Sequence, residues 1–590
     1  MLLGPYIPAV AILGIDVGGT FTDAVLLEDG ELRTAKVPTA RNQEESVLAA
    51  AAAVGARELE RFTHGTTIAT NALLERRGAR TALVATEGFE HVLHLRRQDR
   101  AHLYRLCARH PEPLVPLERS FGVRGRIGPS GELAPLDLSS LPDLGDAEAI
   151  AVCLLFSFRD PSHERAVVAE LRRRHPDAHV VASHESAPEF REYERASTTA
   201  ADAYLGPLLG RYLRALGTRC EQAGLPVPLI MRSSGGVAPL EEAAAHAARA
   251  LLSGPAAGVV GASRVARLAG IDHALAFDMG GTSTDVCAIV GGEATRSSER
   301  LVGGLPIRLP TLDVHTVGAG GGSIAWRDAG GALRVGPASA GAEPGPACYG
   351  RGGELPTVTD ANLLLGRLPD RLAGGLELDH AAAERALARV GAEPADVIEV
   401  VNAEMLAALR VVSVERGLDP RDFALVAFGG AGALHACALA EELEIETVLV
   451  PEAAGVLSAL GLALSDERRD TVRSLVVPLV GAELPEEGQA DVRYVGQSFE
   501  LTVSLGGDVA DSFHRAHEER YGYADRTRPL ELVALRTAEI HSGPLHLHLH
   551  PPPSPRSAGT GMVELDGSTA WIPPGWNSQW RDGSLVVTRT

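Results

Sequence analysis

Two eight-residue segments carry the residue types that phosphate chemistry needs: Asp16-Val17-Gly18-Gly19-Thr20-Phe21-Thr22-Asp23 and Asp278-Met279-Gly280-Gly281-Thr282-Ser283-Thr284-Asp285. Both match D-x-G-G-T-x-T-D, both follow an apolar run and both lead into another. Paired glycines let backbone N–H groups approach phosphate oxygens without side-chain obstruction. Thr20 and Thr282 add hydroxyl donors, and Thr22 and Ser283 extend the same polar turns. Asp16 and Asp278, at the ends of the preceding strands, suit a hydrated Mg²⁺ or an attacking water, roles that need a carboxylate near the phosphates but not on them. Asp23 and Asp285 come seven residues later, on the expected return strands, where they complete the cation's water shell. Plain β-hairpin turns also favour Asp, Gly and Thr. A hairpin alone does not account for the duplicate.

A third glycine turn, Phe428-Gly429-Gly430-Ala431-Gly432, passes from an apolar strand to a helix. Such a turn suits an anion or a purine lying on bare backbone, and equally a packing turn. The run Gly318–Ser323 brings Gly320 and Gly321 into consideration; as a dinucleotide loop it fails at its last position, which is Ser323. Small-residue stretches at 253–258 and 453–461 favour close helix crossing. Asp313 with His315, and His546 with His548 and His550, would each share a strand face and are weighed as metal or substrate contacts against ordinary hydrogen bonding and exposure.

The elements that must position these loops alternate. Strands are expected at Val10–Val17, Phe21–Leu27, Thr81–Ala85, Ala149–Phe156 and His179–Ser183, with helices at Gln43–Val54, Ser162–Arg174 and Ser197–Leu216. Strand Ala424–Phe428, a helix to Leu443 and strand Thr447–Val450 repeat the alternation, which indicates α/β layers. Pro551–Ser557 reads as a linker.

Composition excludes several functions. The formal charge of −21 over 590 residues leaves no basic excess for a general nucleic-acid binder. Lys36 is the only lysine, which removes a Walker-type or kinase-type lysine within a phosphate loop and a Schiff-base lysine. Six scattered cysteines fit neither a disulfide framework nor a zinc site and point to a reducing cytoplasm. The N-terminal apolar run lacks a basic leader and enters a glycine loop, so a buried strand is expected, with no membrane span.

Taken in order, the two phosphate loops, the glycine turn and the small-residue helices resemble the superfamily of actin, sugar kinases and heat-shock chaperones. Within it the chain resembles the hydantoinase A/5-oxoprolinase family along nearly its whole length, through GIDVGGTFTDAV (14–25), HGTTIATNALLER (64–76), EYERASTTAADAYLGPLL (192–209), LLSGPAAGVVGA (251–262), FDMGGTSTDV (277–286), DVHTVGAGGGSIAW (313–326), FGGAGALHACALAEEL (428–443) and RYVGQSFEL (493–501). The resemblance implies a two-lobed, actin-like (ribonuclease H-like) α/β fold: a first lobe over 1–195, a second over 196–470 and a strand-rich C-terminal region over 471–590. It implies ATP with Mg²⁺, or Mn²⁺, as cofactors. Asp16, Asp278 and Asp285 would serve the metal, and Gly18, Gly19, Thr20, Gly280, Gly281 and Thr282 the phosphates. Gly429, Gly430 and Gly432 would line the adenosine, and Gly320 and Gly321 would approach the nucleotide. His64, with Thr66, Thr67 and Asn71, would lie near the phosphoryl or substrate end, His64 as a catalytic group beside Asp16 and Asp278. The implied activity is ATP-dependent ring opening of a cyclic amide or imide, with a hydantoinase B-type subunit as partner. Carboxylation of a ketone, a small-molecule kinase and a chaperone-like ATPase are the alternatives; the lack of a lysine in either loop disfavours the chaperone branch.

Overall fold

The computed structural model describes residues 11–28, 30–372, 375–543 and 559–590. His546, His548, His550 and the expected linker at 551–557 lie outside these residues, as does Val10.

Two sheets are built around the same hairpin. In the first, β1 (Ala11–Val17) pairs antiparallel with β2 (Phe21–Glu28), which pairs with β3 (Glu31–Pro38); on its other side β1 runs parallel to β4 (Arg61–Thr66). A separate five-stranded sheet, order β7-β6-β5-β8-β9, is inserted next, from β5 (Thr81–Thr86), β6 (Ser120–Gly128), β7 (Gly131–Asp137), β8 (Ala149–Cys153) and β9 (His179–Ala182). The chain then returns through a long helix, Glu192–Gln222, and adds β10 (Leu229–Met231), parallel to β4, and β11 (Val237–Pro239). In the second sheet β12 (Ala274–Met279) pairs antiparallel with β13 (Thr284–Val290) and parallel with strand Ala424–Phe428, which is followed by Thr447–Pro451. Hairpin, then parallel neighbours, in the same order twice: this is the two-lobed actin-like fold.

The hydrophobic pattern explains why these strands are central. β1 and strand Ala424–Phe428 are apolar at nearly every position and buried on both faces, as parallel strands covered by helices must be. The long helix starts five residues earlier and ends six later than its apolar pattern indicates. Its extra N-terminal turn is stabilised by Glu192 and Glu194 near the helix's positive end.

A break at 195/196 falls inside the long helix, and β10 and β11, beyond that break, belong to the first sheet. The C-terminal region divides between the lobes. Strands Glu467–Pro478, Leu530–His541, Gln489–Tyr494 and Leu501–Ser504 extend the first sheet beyond β11, whereas Trp576–Arg581 and Ser584–Arg589 extend the second beyond Thr447–Pro451. All six cysteines are free thiols. No helix among the described residues is long and apolar enough to cross a membrane.

Two helices, Ser253–Leu268 and Leu457–Ala463, cross between the lobes at backbone contact. A Cβ on Gly461 would stand 2.0 Å from the Ala257 carbonyl oxygen, and one on Gly14 of β1 would stand 2.1 Å from that of Ala459. The second helix is therefore clamped between β1 and the first helix, and glycine is required for that spacing. Gly461→Val should lower the unfolding free energy by about 1–3 kcal/mol or more, the usual cost of overpacking, read as a lower urea midpoint. An unchanged midpoint would contradict the contact.

Candidate functional site

Strand register lines the aspartates up in two matching rows. Asp16 of β1 stands opposite Asp23 of β2, and Asp278 of β12 opposite Asp285 of β13. Paired residues of neighbouring strands project from the same face of a sheet. On the far side of Asp16 the register partner is Gly65, and a Cβ there would stand 2.7 Å from Asp16 Oδ1. On the far side of Asp278 the neighbouring strand ends at Phe428, and Gly429, at φ +79°, passes so close that a Cβ would stand 2.3 Å from Asp278 Oδ1. In each lobe a glycine leaves room beside the leading carboxylate.

The turns between paired aspartates are the same. Gly18 N–H donates to Phe21 O at 3.0 Å and Gly280 N–H to Ser283 O at 3.0 Å. Gly19, Thr20, Gly281 and Thr282 are exposed, and among the described residues their N–H groups make no hydrogen bond. They are free to meet an anion. Thr22 is different: it is fully buried and hydrogen-bonded to Thr39 at 3.0 Å, and Thr39 also donates to Gly18 O at 3.0 Å. Its role is to brace the loop. Its counterpart Thr284 donates to Ala319 O at 2.6 Å and braces the second loop in the same way. Ser283 is partly exposed at the second turn, where the first has Phe21.

The charges of the first row reach the second. Burial first, then the Asp23 charge, raises the Asp16 carboxyl to about 7, with Lys36 opposing. Asp278 is raised to about 8 by burial, then by the charges of Asp285, Asp16 and Asp23. The second-lobe carboxylate thus feels both acids of the first lobe. Burial also raises Asp23 and Asp285. Asp285 is held by the Thr316 hydroxyl, which donates to Oδ1 at 2.5 Å and accepts from Arg300 at 3.2 Å.

The first helix of the crossing pair begins against Asp16: a Cβ on Gly254 would stand 3.7 Å from both its oxygens. A helix N-terminus carries positive potential where negative charge gathers. Asp16 Oδ1 is buried with no hydrogen-bond partner. An orphaned carboxylate oxygen beside Asp23, its charge felt at Asp278, suits a cation. Among the described residues, however, no three His, Cys, Asp or Glu side chains converge tightly enough to hold a metal ion by themselves. An Mg²⁺ here would have to be reached through water and phosphate oxygens, as Mg²⁺ prefers.

Several residues stand elsewhere than their sequence suggests. His64 lies one residue before Gly65, so its side chain projects from the opposite face of β4. It is fully buried, with Nδ1 3.2 Å from Ile15 O and Nε2 2.9 Å from the Tyr212 hydroxyl, and burial lowers it to about 4. A neutral core imidazole results, away from the aspartates. Gly320 and Gly321 are buried behind the second loop: Gly321 N–H donates to Gly280 O at 3.0 Å and Gly322 N–H to Gly281 O at 2.7 Å. Gly320 N–H donates to Ser323 Oγ at 2.8 Å, so neither glycine has a donor left for a ligand. Gly430 is exposed at the cleft, and Gly432 opens helix Gly432–Glu442 beside Met279. Thr67 donates to Val17 O at 3.3 Å, and Thr66 accepts at its backbone carbonyl from Ser253 at 2.9 Å. Asp313 is ion-paired with Arg416 at 2.9 Å.

The residue that sequence reasoning passed over is Lys36. It stands opposite Asp23 in β3 and pairs with its Oδ1 at 2.6 Å, and its charge also lowers Asp16 and Asp278. A lysine absent from both loops is delivered to the cleft by strand register. Only the alternation of β3, placed beside β2, carries that signal.

The pattern of the hydantoinase/oxoprolinase N-terminal region matches residues 12–175, and that of hydantoinase/oxoprolinase matches residues 195–471. Caprolactamase subunit alpha of Pseudomonas jessenii is 37% identical, over 90% of this chain and 86% of the relative. Acetophenone carboxylase gamma subunit of Aromatoleum aromaticum is 35% identical, over 78% of this chain and 68% of the relative. The crystal structure of an ATP-dependent caprolactamase from Pseudomonas jessenii superposes with a TM-score of 0.83 at 32% identity, covering 98% of this chain and 99% of the other.

A carboxyl raised on folding binds its proton more tightly in the native state, so its contribution is intact below the unfolded value of 3.8 and lost as pH rises toward 8. With nucleotide absent and divalent ions chelated, Asp278→Asn should therefore melt higher than the parent at pH 8, and the gap should shrink steadily as pH falls through 5 toward the unfolded value of 3.8. Equal melting throughout would show that Asp278 is not strained by its neighbours.

Proposed function

The chain belongs to the hydantoinase/oxoprolinase family, and we propose from this premise that it is the nucleotide-using subunit of an ATP-dependent enzyme that opens a cyclic amide or imide. The observation that carries the reading is the pair of aspartate rows facing one another, with Asp278 sensing the charge of Asp16. Two such rows with free N–H groups at both turns suit a triphosphate gripped from either side.

Bound ATP would supply a phosphoryl group to the carbonyl oxygen, making an unreactive amide a better acceptor for water. The chain's part is to bind and orient. Gly19, Thr20, Gly281 and Thr282 offer backbone donors to phosphate oxygens, and Gly430 with the N-terminus of helix Gly432–Glu442 offers a bare surface to the nucleoside. Asp16 and Asp278 would hold a hydrated Mg²⁺, whose charge would return both carboxyls to the ionised form. Lys36 pairs with Asp23, opposing the rise that burial causes, and adds positive charge on the first-lobe wall. A B-type partner subunit accords with the relatives, caprolactamase subunit alpha and acetophenone carboxylase gamma subunit, which are subunits themselves. Carboxylation of a ketone is the second reading, favoured by the 35% identity to a carboxylase subunit.

The test is ATP turnover with lactam, imide and ketone substrates, alone and with a B-type subunit, with product analysis. Asp16→Asn and Asp278→Asn should each reduce turnover by about 10²–10³, the loss expected when one preorganised electrostatic group is removed, while ADP affinity changes only a few-fold. Wild-type turnover in both variants would overturn the site. Release of a stable phosphorylated product would replace the hydrolase reading with a kinase.

A further inference from the structure

The second row of acids has a cation behind its last member. Thr316 stands opposite Asp285 and donates its hydroxyl to Asp285 Oδ1 at 2.5 Å, and Arg300 Nη2 donates to the same hydroxyl at 3.2 Å. A guanidinium carries five N–H donors. Among the described residues this is the only hydrogen bond that the Arg300 guanidinium makes, and it forms no ion pair. Two nearby acids are already engaged: Glu299 pairs with Arg308 at 3.0 Å and Asp313 with Arg416 at 2.9 Å. Arg300 is nonetheless partly buried, where charged groups are normally paired. Its charge reaches Asp285, where the Thr316 hydroxyl and then Arg300 oppose the rise that burial causes.

Arg300 is delivered by a hairpin that leaves its own lobe. Arg300–Val302 pairs antiparallel with Leu305–Ile307, and in sequence this hairpin falls between β13 and strand His315–Val317 of the second sheet. Its Val302, Leu305 and Ile307 are buried instead in the first-lobe core, with Leu73, Leu205 and Leu209. At its tip, a Cβ on Gly303 would stand 3.4 Å from the Leu74 side chain. The hairpin therefore lies on the first lobe and is tied to the second through Thr316, with Arg300 at the junction. Order along the second wall adds a direction. From Phe428, which leads into Gly429 and Gly430, the row passes Asp278, Asp285 and Thr316, about 14 Å over three strand spacings. Arg300 lies beyond Thr316. The glycine turn offered to the nucleoside is at one end of the row, and the unpaired guanidinium is at the other.

We propose that Arg300 binds the terminal phosphate of ATP. The assignment rests on the reading of the cleft as the nucleotide site, with the nucleoside at Gly430. A triphosphate laid from there along the row brings its last phosphate to the end where Arg300 stands, and the guanidinium fork matches two phosphate oxygens. The Thr316 hydroxyl holds that fork between the phosphate and Asp285. ADP, one phosphate shorter, does not reach it. Arg300 thus distinguishes ATP from ADP, and the hairpin packed on the first lobe makes that recognition depend on both lobes.

Calorimetry on the full chain with Mg²⁺ tests this, with ADP and the non-hydrolysable analogue AMP-PNP as probes. Arg300→Gln should weaken AMP-PNP by about tenfold or more, the worth of one charge-assisted hydrogen bond, with ADP affinity and the melting temperature of the free chain unchanged. Arg300→Lys, which keeps the charge, should recover part of the loss. Because the ratio of the two affinities is read, a loss of folded protein cancels. An equal loss for both nucleotides, or no loss for AMP-PNP, would overturn the role of Arg300 while leaving the cleft in place. Binding of neither nucleotide by the unaltered chain would overturn the cleft reading, and the assignment with it.

Discussion

Backbone contact at the crossing helices is the constraint on which the rest depends. Helix Leu457–Ala463 touches β1 at Gly14 and the other crossing helix at Ala257, in each case closer than any side chain permits. That contact brings the carboxyl ends of β1 and β12 to one cleft, so that two rows of acids repel across it. An isolated hairpin with Asp16 and Asp23 would be unremarkable; two of them held face to face form a site whose acids are ionised together only at a cost. Burial dominates that cost, and mutual charge adds to it. A cation with its phosphates is the natural complement.

The lobes are alike in register but not in charge. The row in the first runs Gly65, Asp16, Asp23, Lys36, and that in the second runs Phe428, Asp278, Asp285, Thr316. A cation ends one row and a hydroxyl the other. A duplicated framework thus yields two unequal walls, one partly neutralised by the protein itself and one that relies on Thr316 and on what is bound.

Local sequence was sufficient for whatever local geometry decides. The two D-x-G-G-T-x-T-D turns, the strands on either side and the turn at Gly429 follow from glycine pairs after apolar runs. Register decided the rest. His64 and Gly65 are adjacent, yet one enters the core and the other leaves room for Asp16, and no motif states which face is which. Gly320 and Gly321 look like a phosphate loop because glycine serves equally to expose N–H groups and to stack backbone on backbone; here it stacks. Lys36 needed the pairing of β3 with β2 to be seen. Strand Glu467–Pro478 reaches the turn after β10 only because it joins the first sheet beside β11 through a single parallel register pair, Val237 with Glu467.

The claim underlying this account is that both turns grip one triphosphate. A crystal structure of the chain with Mg²⁺ and a non-hydrolysable ATP analogue tests it most directly. The account predicts the β- and γ-phosphates between Gly18–Thr20 and Gly280–Thr282, with the metal hydrated and Asp16 and Asp278 on either side. A nucleotide seated on one turn alone, or bound away from both, would contradict it.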